Sequence, residues 1–574
     1  MRPQLTISLG QYSAAGAKAA NQDFHGSLVP EGAGLATKGI VVAIADGIST
    51  SALGATASET AVKSFLTDYF ATSDAWSVRT SGERVIAATN SWMHAQNVRR
   101  GPVSDESRER GMITTFSAIV LKSCTAHIFH VGDGRVARLA GQGVEPLTEP
   151  HRIHLGGGES YLGQALGMNR HVEIDHRQVP LQPGDIFVLT TDGVHEHLPD
   201  TALASAVMQE GDLDAAARSV AEAALAAGSV DNLTVQIVRI DALPEGSLDD
   251  LIGVESALPP APRLEPGRDF EGYAVLRELH SGSRSHVYLA RDKVDGAPVA
   301  IKVPATDQAG DPARMQSLLL EEWVARRISH PHVLKAAPVR GARRHAYAVS
   351  EYADGQPLDS WMHDHPAPDL AVVRSLAKQI ASGLLALHRR EMIHRDLRPP
   401  NIMVDKDGTA KIIDFGSVQV AGLDELAPRM EDSAFAGTMQ YSAPELYLGQ
   451  AATAASDIYS LGVIVYQMLT GDLPYGPRVA AADTRAAQRK LRYVPSAQHN
   501  PSVPEWMDAA LARAVAIDPA RRYGELSEFI YDLSHPNPSL AALQSRPLLA
   551  RRPERLWQGI SLLLLVLLLF SWWR

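Results

Sequence analysis

Residues 241–268, DALPEGSLDDLIGVESALPPAPRLEPGR, interrupt the chain. The stretch is rich in proline, glycine and acidic residues and sustains neither a strand period nor a helix period, so it predicts a linker. A chain of 574 residues is in any case too long for one hydrophobic core. The interruption therefore predicts two separately cored bodies, residues 1–240 and 269–535. The first reads as alternating strands and helices ending in DNLTVQIVRI; the second reads as strands followed by helices.

The formal net charge of −11 weighs against a nucleic-acid partner, because neutralising phosphates takes clustered Lys and Arg. The single cysteine, Cys124, excludes an internal disulfide and fits a reducing compartment; in the run FSAIVLKSCTAHIFHVG it reads as a small buried strand residue. The N-terminal MRPQLTISLGQYSAAG lacks the apolar core of a secretory signal. Residues 556–573, LWQGISLLLLVLLLFSWW, carry no charge. At 1.5 Å per residue they cover about 27 Å, close to a bilayer's hydrocarbon core. Arg551, Arg552 and Arg555 precede them and mark the cytoplasmic side, while Trp572 and Trp573 suit the far interface. The expectation is a juxtamembrane segment over 536–555 and a single-pass C-terminal transmembrane helix over 556–573, with the larger bodies in the cytoplasm.

The second body carries an ordered set of motifs. HSGSRSHVYLA (280–290) precedes a strand with VAIK, which places Lys302. On the helical run LLLEEWVARRISHP, Glu321, Val324 and Ile328 share a face, with Glu322 as the alternative partner for Lys302. HRDLRPPN (394–401), DFG (414–416) and APE (443–445) follow. Together these resemble the Ser/Thr protein kinase family, and the resemblance spans the whole body, including SDIYSLGVIVYQMLTG and DPARRY. It implies a bilobal kinase fold and transfer of phosphate from ATP to protein Ser or Thr. Phosphoryl transfer asks a protein for positioning and charge neutralisation more than for covalent help. By the resemblance, Lys302 holds the ATP phosphates and is fixed by Glu321. Asn401 and Asp414 bind Mg²⁺, Asp396 accepts the substrate hydroxyl's proton, and Arg398 contacts the transferred phosphate where the family usually has Lys. Against the family's glycine loop, anchored on Val287, only Gly282 survives; His280 and Ser285 replace the outer glycines, which predicts weakened ATP binding. Arg395 before the catalytic aspartate implies activation-loop control. In that loop Ser433 is the expected phosphosite, and Thr438 is expected to support the catalytic loop.

The first body carries scattered aspartates instead. Asp23 lies in KAANQDF, Asp46 and Gly47 in VVAIADGIS, Asp133 in FHVGDGRVARL, Asp192 in DIFVLTTDGV and Asp231 in GSVDNLTVQIV. Most sit where an apolar strand stops, which is where a β-scaffold presents ligands from its rim. Hard oxygen donors suit Mg²⁺ or Mn²⁺, and a bridged pair of such ions can clamp an in-line phosphoryl displacement. The ordered series resembles the metal-dependent PP2C-type Ser/Thr phosphatases, with TTFSAIV, LTEPH and QALG also matching. That resemblance implies an α-β-β-α sandwich. It makes Asp46 the bridging ligand, with the Gly47 carbonyl, Asp192 and Asp231 also on metal. It places Asp23 on metal through water and makes Asp133 a candidate ligand for a third ion. Lys18 takes the place of a phosphate-binding Arg. The glycine pair expected after Asp46-Gly47 is missing, and so is a His for leaving-group protonation. His195-Glu196-His197 reads as a solvated turn rather than a metal site, and GGGES (156–160) as a flap turn.

The expected whole is an α+β multidomain chain: a PP2C-like phosphatase, residues 1–240, then a kinase, residues 269–535, then a membrane anchor. It resembles bacterial bifunctional signalling proteins at the inner membrane, acting on protein substrates, its own activation loop among the candidates. Two alternatives stay open at this point. In one the kinase body is a pseudokinase scaffold, favoured by the degraded glycine loop. In the other the phosphatase body is a weak enzyme used for docking, favoured by the lost glycines near Asp46.

Overall fold

The computed structural model describes residues 4–49, 51–100, 111–140, 143–155, 159–244, 258–282, 285–305, 311–338, 340–425, 440–540 and 561. They form two compact units, in the main Met1–Leu258 and Pro259 onward. The expected linker divides between them. Pro259 onward belongs to the second unit, where Ala261 and Leu264 are buried in its core and Ala261 N donates to Ala346 O at 3.1 Å. The apolar run at 556–573, Ser433 and Thr438 lie outside the described residues, save for Ser561.

The first unit is built on two five-stranded sheets. One contains β1 (Thr6–Ala14), β6 (Arg135–Ala140), β7 (Gly143–Pro146), β11 (Ile186–Thr190) and β12 (Leu233–Ala242) in the order β1-β12-β11-β6-β7. The other contains β2 (Asp23–Leu28), β3 (Ile40–Asp46), β4 (Phe116–Lys122), β5 (Thr125–Val131) and β10 (Asp175–Pro180) in the order β10-β5-β4-β3-β2. Strand periodicity explains why β3 is apolar throughout. Ile40, Val42 and Ile44 enter a core between the sheets with Ile119, Ile128, Phe187, Leu189 and Val238. Val41, Ala43 and Ala45 face the other way, into a core with Phe65, Tyr69, Val85 and Ile86 of helices α1 (Gly54–Ala71) and α2 (Val78–Arg99). The opposite sheet is covered in the same manner by α3 (Asp200–Gln209) and α4 (Leu213–Ala226), whose alanine-rich face meets Val188, Val235 and Ile237. The result is helix, sheet, sheet, helix. Beside the sandwich, β8 (Arg152–Leu155) and β9 (Glu159–Leu162) pair as a separate two-stranded hairpin.

The second unit begins with a five-stranded antiparallel sheet of β13 (Asp269–Phe270), β14 (Tyr273–Ser281), β15 (Ser285–Asp292), β16 (Pro298–Pro304) and β17 (Ala348–Glu351). Helix α5 (Pro312–Arg327) packs on β16 and β17. The rest is mainly helical, with short strands between: α6 (Leu370–His388), α7 (Ala454–Thr470), α8 (Glu505–Ala514) and α9 (Leu526–Ser534), with α6 against α7 and α9. Helix α6 is the one helix among the described residues long and apolar enough to cross a membrane, at a mean hydropathy of 1.4. It is a core helix here, with Val373, Leu376, Ile380, Leu384 and Leu387 buried inside the unit.

One buried ion pair ties this helical part together. Both guanidinium ends of Arg522 fork onto Glu445, at 2.8 and 2.6 Å, and Ser456 Oγ donates to the same carboxylate at 2.8 Å. Removing one partner strands a buried charge, which generally costs about 3–5 kcal/mol. Arg522→Met is therefore expected to lower the midpoint of one of two thermal or denaturant transitions and leave the other in place; two unshifted transitions would show that the pair is not structural.

Candidate active sites

In the second unit, the antiparallel register sets one row of side chains on one face of the sheet: His280 opposite Val287, and Val287 opposite Lys302. Lys302 Nζ reaches Glu321 Oε2 of α5 at 2.5 Å and Asp414 Oδ2 at 3.7 Å. Glu321 is the partner, not Glu322, because Val324 and Ile328 on the same face are buried and set the helix rotation. Glu322 instead receives a two-pronged fork from Arg343, at 2.8 and 2.6 Å, and also pairs with Arg326. Burial alone would depress the Lys302 ammonium, but the charges of Asp414 and Glu321 hold it above its ordinary value. Burial lifts Glu321 to about 7 against the opposing pull of Lys302. Asp414 stays below the usual carboxylate range despite burial, held there by Lys302 and the Gly416 N–H.

Around the turn His394–Asn401, the Asn401 Nδ2 donates to Asp396 O at 2.8 Å and approaches Asp396 Oδ2 at 3.4 Å. Arg398 Nε lies 3.6 Å from the same carboxylate. Arg395 sits at φ +67°, a left-handed conformation costly for a non-glycine residue. Asp457 of α7 holds it there, accepting from His394 N at 2.9 Å and Arg395 N at 3.0 Å. The sequence motifs did not single out Asp457, nor Arg343. The glycine turn is tight, with Gly282 N donating to Ser285 O at 3.0 Å. The His280 ring lies over it: a Cβ added at Gly282 would stand 2.8 Å from His280 Nε2.

In the first unit, Asp23 and Asp46 are direct partners across β2 and β3. Asp23 Oδ2 accepts from Thr234 Oγ1 at 2.7 Å and Thr191 Oγ1 at 2.9 Å, while Asp23 Oδ1 and Asp192 Oδ1 are buried without a partner. Burial, then the charges of Asp23 and Asp192, push the Asp46 carboxyl well above its ordinary value. Asp192 is raised to about 7 by burial and then by Asp133, Asp231, Glu196 and Asp23. Gly47 fits because a Cβ there would fall 2.2 Å from Gly54 O, so Gly54 closes the turn where a glycine pair was expected. Lys18 Nζ pairs with Asp231 and donates to Ser49 Oγ at 2.6 Å. Asp133 is engaged by Arg152, a residue that no motif signalled. Glu196 also meets Arg152, and His195 is half-buried, its imidazole lowered to about 4 chiefly by desolvation.

Among the described residues, no group of three or more His, Cys, Asp or Glu side chains is close enough to hold a metal ion by itself. The donor set nevertheless fits a hard divalent cation. Its carboxylates repel one another, two buried oxygens lack partners, and an ion such as Mg²⁺ keeps several waters, so it needs few protein ligands.

Residues 273–539 match the protein kinase domain family and residues 11–227 the protein phosphatase 2C family. Both domains are present in this chain. The kinase domain is similar to the serine/threonine-protein kinase Pkn1 of Myxococcus xanthus, 33% identical over 261 residues, covering 45% of this chain and 37% of that protein. It is also similar to the serine/threonine-protein kinase PrkC of Bacillus subtilis (strain 168), 29% identical and covering 46% of this chain and 40% of that protein. The chain thus spans about two fifths of the length of these curated relatives. The solved Mycobacterium tuberculosis serine/threonine phosphatase PstP/Ppp is 22% identical, with 41% of this chain and 99% of that one covered and a TM-score of 0.35. Protein kinases use ATP with divalent metals, and PP2C phosphatases are metal-dependent.

The position of His280 generates a prediction for the kinase domain. His280→Gly clears the row above Val287 and is expected to lower KM for ATP by roughly threefold to tenfold, about 0.7–1.4 kcal/mol of binding. Steady-state kinetics over a range of ATP concentrations measures this; an unchanged or higher KM would mean that the ring does not obstruct the phosphates.

Proposed function

We propose that the chain is a membrane-tethered enzyme with two opposed activities, an ATP-dependent protein Ser/Thr kinase and a metal-dependent phosphoprotein Ser/Thr phosphatase. The observation that carries it is the assembled ion triad Lys302–Glu321–Asp414, with Asp396 and Asn401 hydrogen-bonded beside it. A scaffold with no transfer to perform has no need of a lysine balanced between two buried carboxylates, since buried ion pairs rarely improve stability over apolar packing.

In the kinase domain, Lys302 neutralises and orients the nucleotide phosphates, and Glu321 keeps its ammonium in place. Asp396 accepts the proton of the substrate hydroxyl, and Arg398 stabilises charge on the transferred group with a fork in place of a point charge. Asn401 and Asp414 would hold Mg²⁺, which supplies further charge neutralisation on the phosphates when bound. In the phosphatase domain, Asp46, the Gly47 carbonyl, Asp192 and Asp231 would hold Mg²⁺ or Mn²⁺, with Asp23 acting through water. Such ions supply a deprotonated water and a clamp for in-line displacement. Lys18 neutralises the incoming phosphate once Asp231 is engaged by a cation. The apolar run at 556–573 anchors the chain in a cell membrane, with both domains on the arginine-flanked cytoplasmic side.

The test is incorporation of label from [γ-³²P]ATP with Mg²⁺ or Mn²⁺ by the full chain carrying Asp46→Asn, so that label is retained. Label that vanishes on Asp396→Ala is the expected outcome. Absence of label, with p-nitrophenyl phosphate hydrolysis intact in the unmutated chain, would leave a phosphatase with a kinase-shaped regulatory domain.

Covalent fusion places each domain at an effective concentration on the millimolar scale for the other. The kinase's own activation segment, with Ser433 as the favoured site, is then a natural phosphatase substrate. A chain carrying Asp46→Asn and Asp231→Asn is expected to reach a higher phosphate stoichiometry on Ser433 than the unmutated chain, read by intact-mass and peptide mass spectrometry. Equal stoichiometry would rule out self-trimming.

A further inference from the structure

Arg152 heads the two-stranded hairpin β8–β9, and its backbone is fastened next to Asp133. His151 N donates to Gly132 O at 2.7 Å, Gly132 N donates to His151 Nδ1 at 3.2 Å, and His151 Nε2 meets Asp175 Oδ2 at 3.0 Å. From that position the guanidinium faces three carboxylates. Its Nε and Nη2 both donate to Asp133 Oδ2, at 3.0 and 2.8 Å. Its Nη2 also lies 2.5 Å from Glu196 Oε1 and 3.6 Å from Asp192 Oδ2.

Asp133 is the residue from which the PP2C resemblance implies a third ion. The local chemistry does not fit one. Arg152 occupies Asp133 Oδ2 with two N–H groups, so a divalent ion could take only Oδ1 and would stand beside a fixed positive charge. A lysine or histidine could give up its proton and yield the place; a guanidinium does not deprotonate in proteins. We propose that Arg152 is the built-in cation of this outer position, so that Asp133 and Glu196 serve the arginine and the phosphatase centre binds two divalent ions, not three. Arg152 is a positioning residue in this scheme. It shares Asp192 with the metal centre. The inference rests on the two-metal reading of the phosphatase domain.

The experiment counts Mn²⁺ bound per full chain, by equilibrium dialysis with atomic absorption and by the electron paramagnetic resonance of free Mn²⁺. It is run without nucleotide and with Asp414→Asn throughout, which removes the kinase domain's own ligand. Two ions are expected for this reference chain, and three for Arg152→Met, the added one being the weakest. Asp133→Asn combined with Arg152→Met is expected to return the count to two, which locates the added ion at Asp133. Asp133→Asn alone, which leaves Arg152 in place, is expected to keep the count at two; it holds the question open to test even if Arg152→Met fails to fold. Three ions in the reference chain, falling to two with Asp133→Asn, would overturn the proposal, as would a count of two for a folded Arg152→Met chain. A reference count unaffected by Asp46→Asn would sink the two-metal reading itself and the proposal with it.

Discussion

A carboxylate taken out of water has to be met by a cation or a proton, and the two domains meet that demand in opposite ways. In the kinase domain the chain answers itself. Glu445 is met by Arg522, Glu322 by Arg343, and both Glu321 and Asp414 by Lys302. In the phosphatase domain the cations go to the rim, Lys18 to Asp231 and Arg152 to Asp133 and Glu196. Asp23 and Asp46 stand side by side on neighbouring strands, and burial raises both, with the charges of Asp23 and Asp192 adding to the rise of Asp46. Their stabilising partner has to come from solution. Such a pair fits a divalent cation, in keeping with the metal dependence of PP2C phosphatases, and requires no ligand cage already closed.

The kinase site depends on how α5 is held. Lys302 meets Glu321 only if the helix keeps its rotation, and three contacts resist a roll: Val324 and Ile328 in the core, and the Arg343 fork on Glu322. A fork constrains two angles where a single hydrogen bond constrains one, so the pair specifies orientation better than an apolar contact of equal size. Asp457 plays the matching part below, stabilising the strained Arg395 backbone that aims Asp396. Both devices fix the positions of side chains assigned to the proposed kinase reaction, Lys302 and Asp396.

What was legible in the sequence follows from how local each feature is. Kinase motifs such as HRDLRPPN and DFG keep their working residues within a few positions, so Asp396, Asn401 and Asp414 could be named without a structure. Asp23 and Asp46 were legible because each sits beside a strand end, and the sandwich brings strand ends together. Glu321 could be preferred over Glu322 from the face it shares with Val324 and Ile328, but adjacent helix positions differ by about 100° and only packing decides which points inward. Arg152 and Arg343 were out of reach for a different reason. Each acts through a long side chain from a hairpin or loop onto an element distant in sequence, with no spacing pattern to mark it. Pro259–Leu264 looks like linker by composition, yet buries Ala261 and Leu264 through two isolated apolar positions that no periodicity detects.

Putting opposed activities on one chain has a consequence that separate enzymes lack. If both act on the same tethered segment, the phosphorylated fraction is set by the ratio of two first-order rates, and chain concentration cancels. The ratio then responds only to what changes one rate and not the other. If the His280 ring beside Gly282 weakens the hold on ATP, the kinase rate stays below saturation, where it follows ATP concentration. A metal-dependent phosphatase rate would follow the divalent ion instead. The glycine positions that look degraded are therefore consistent with a working kinase whose output is graded, and a cation site at the buried Asp23–Asp46 pair would supply the opposing control.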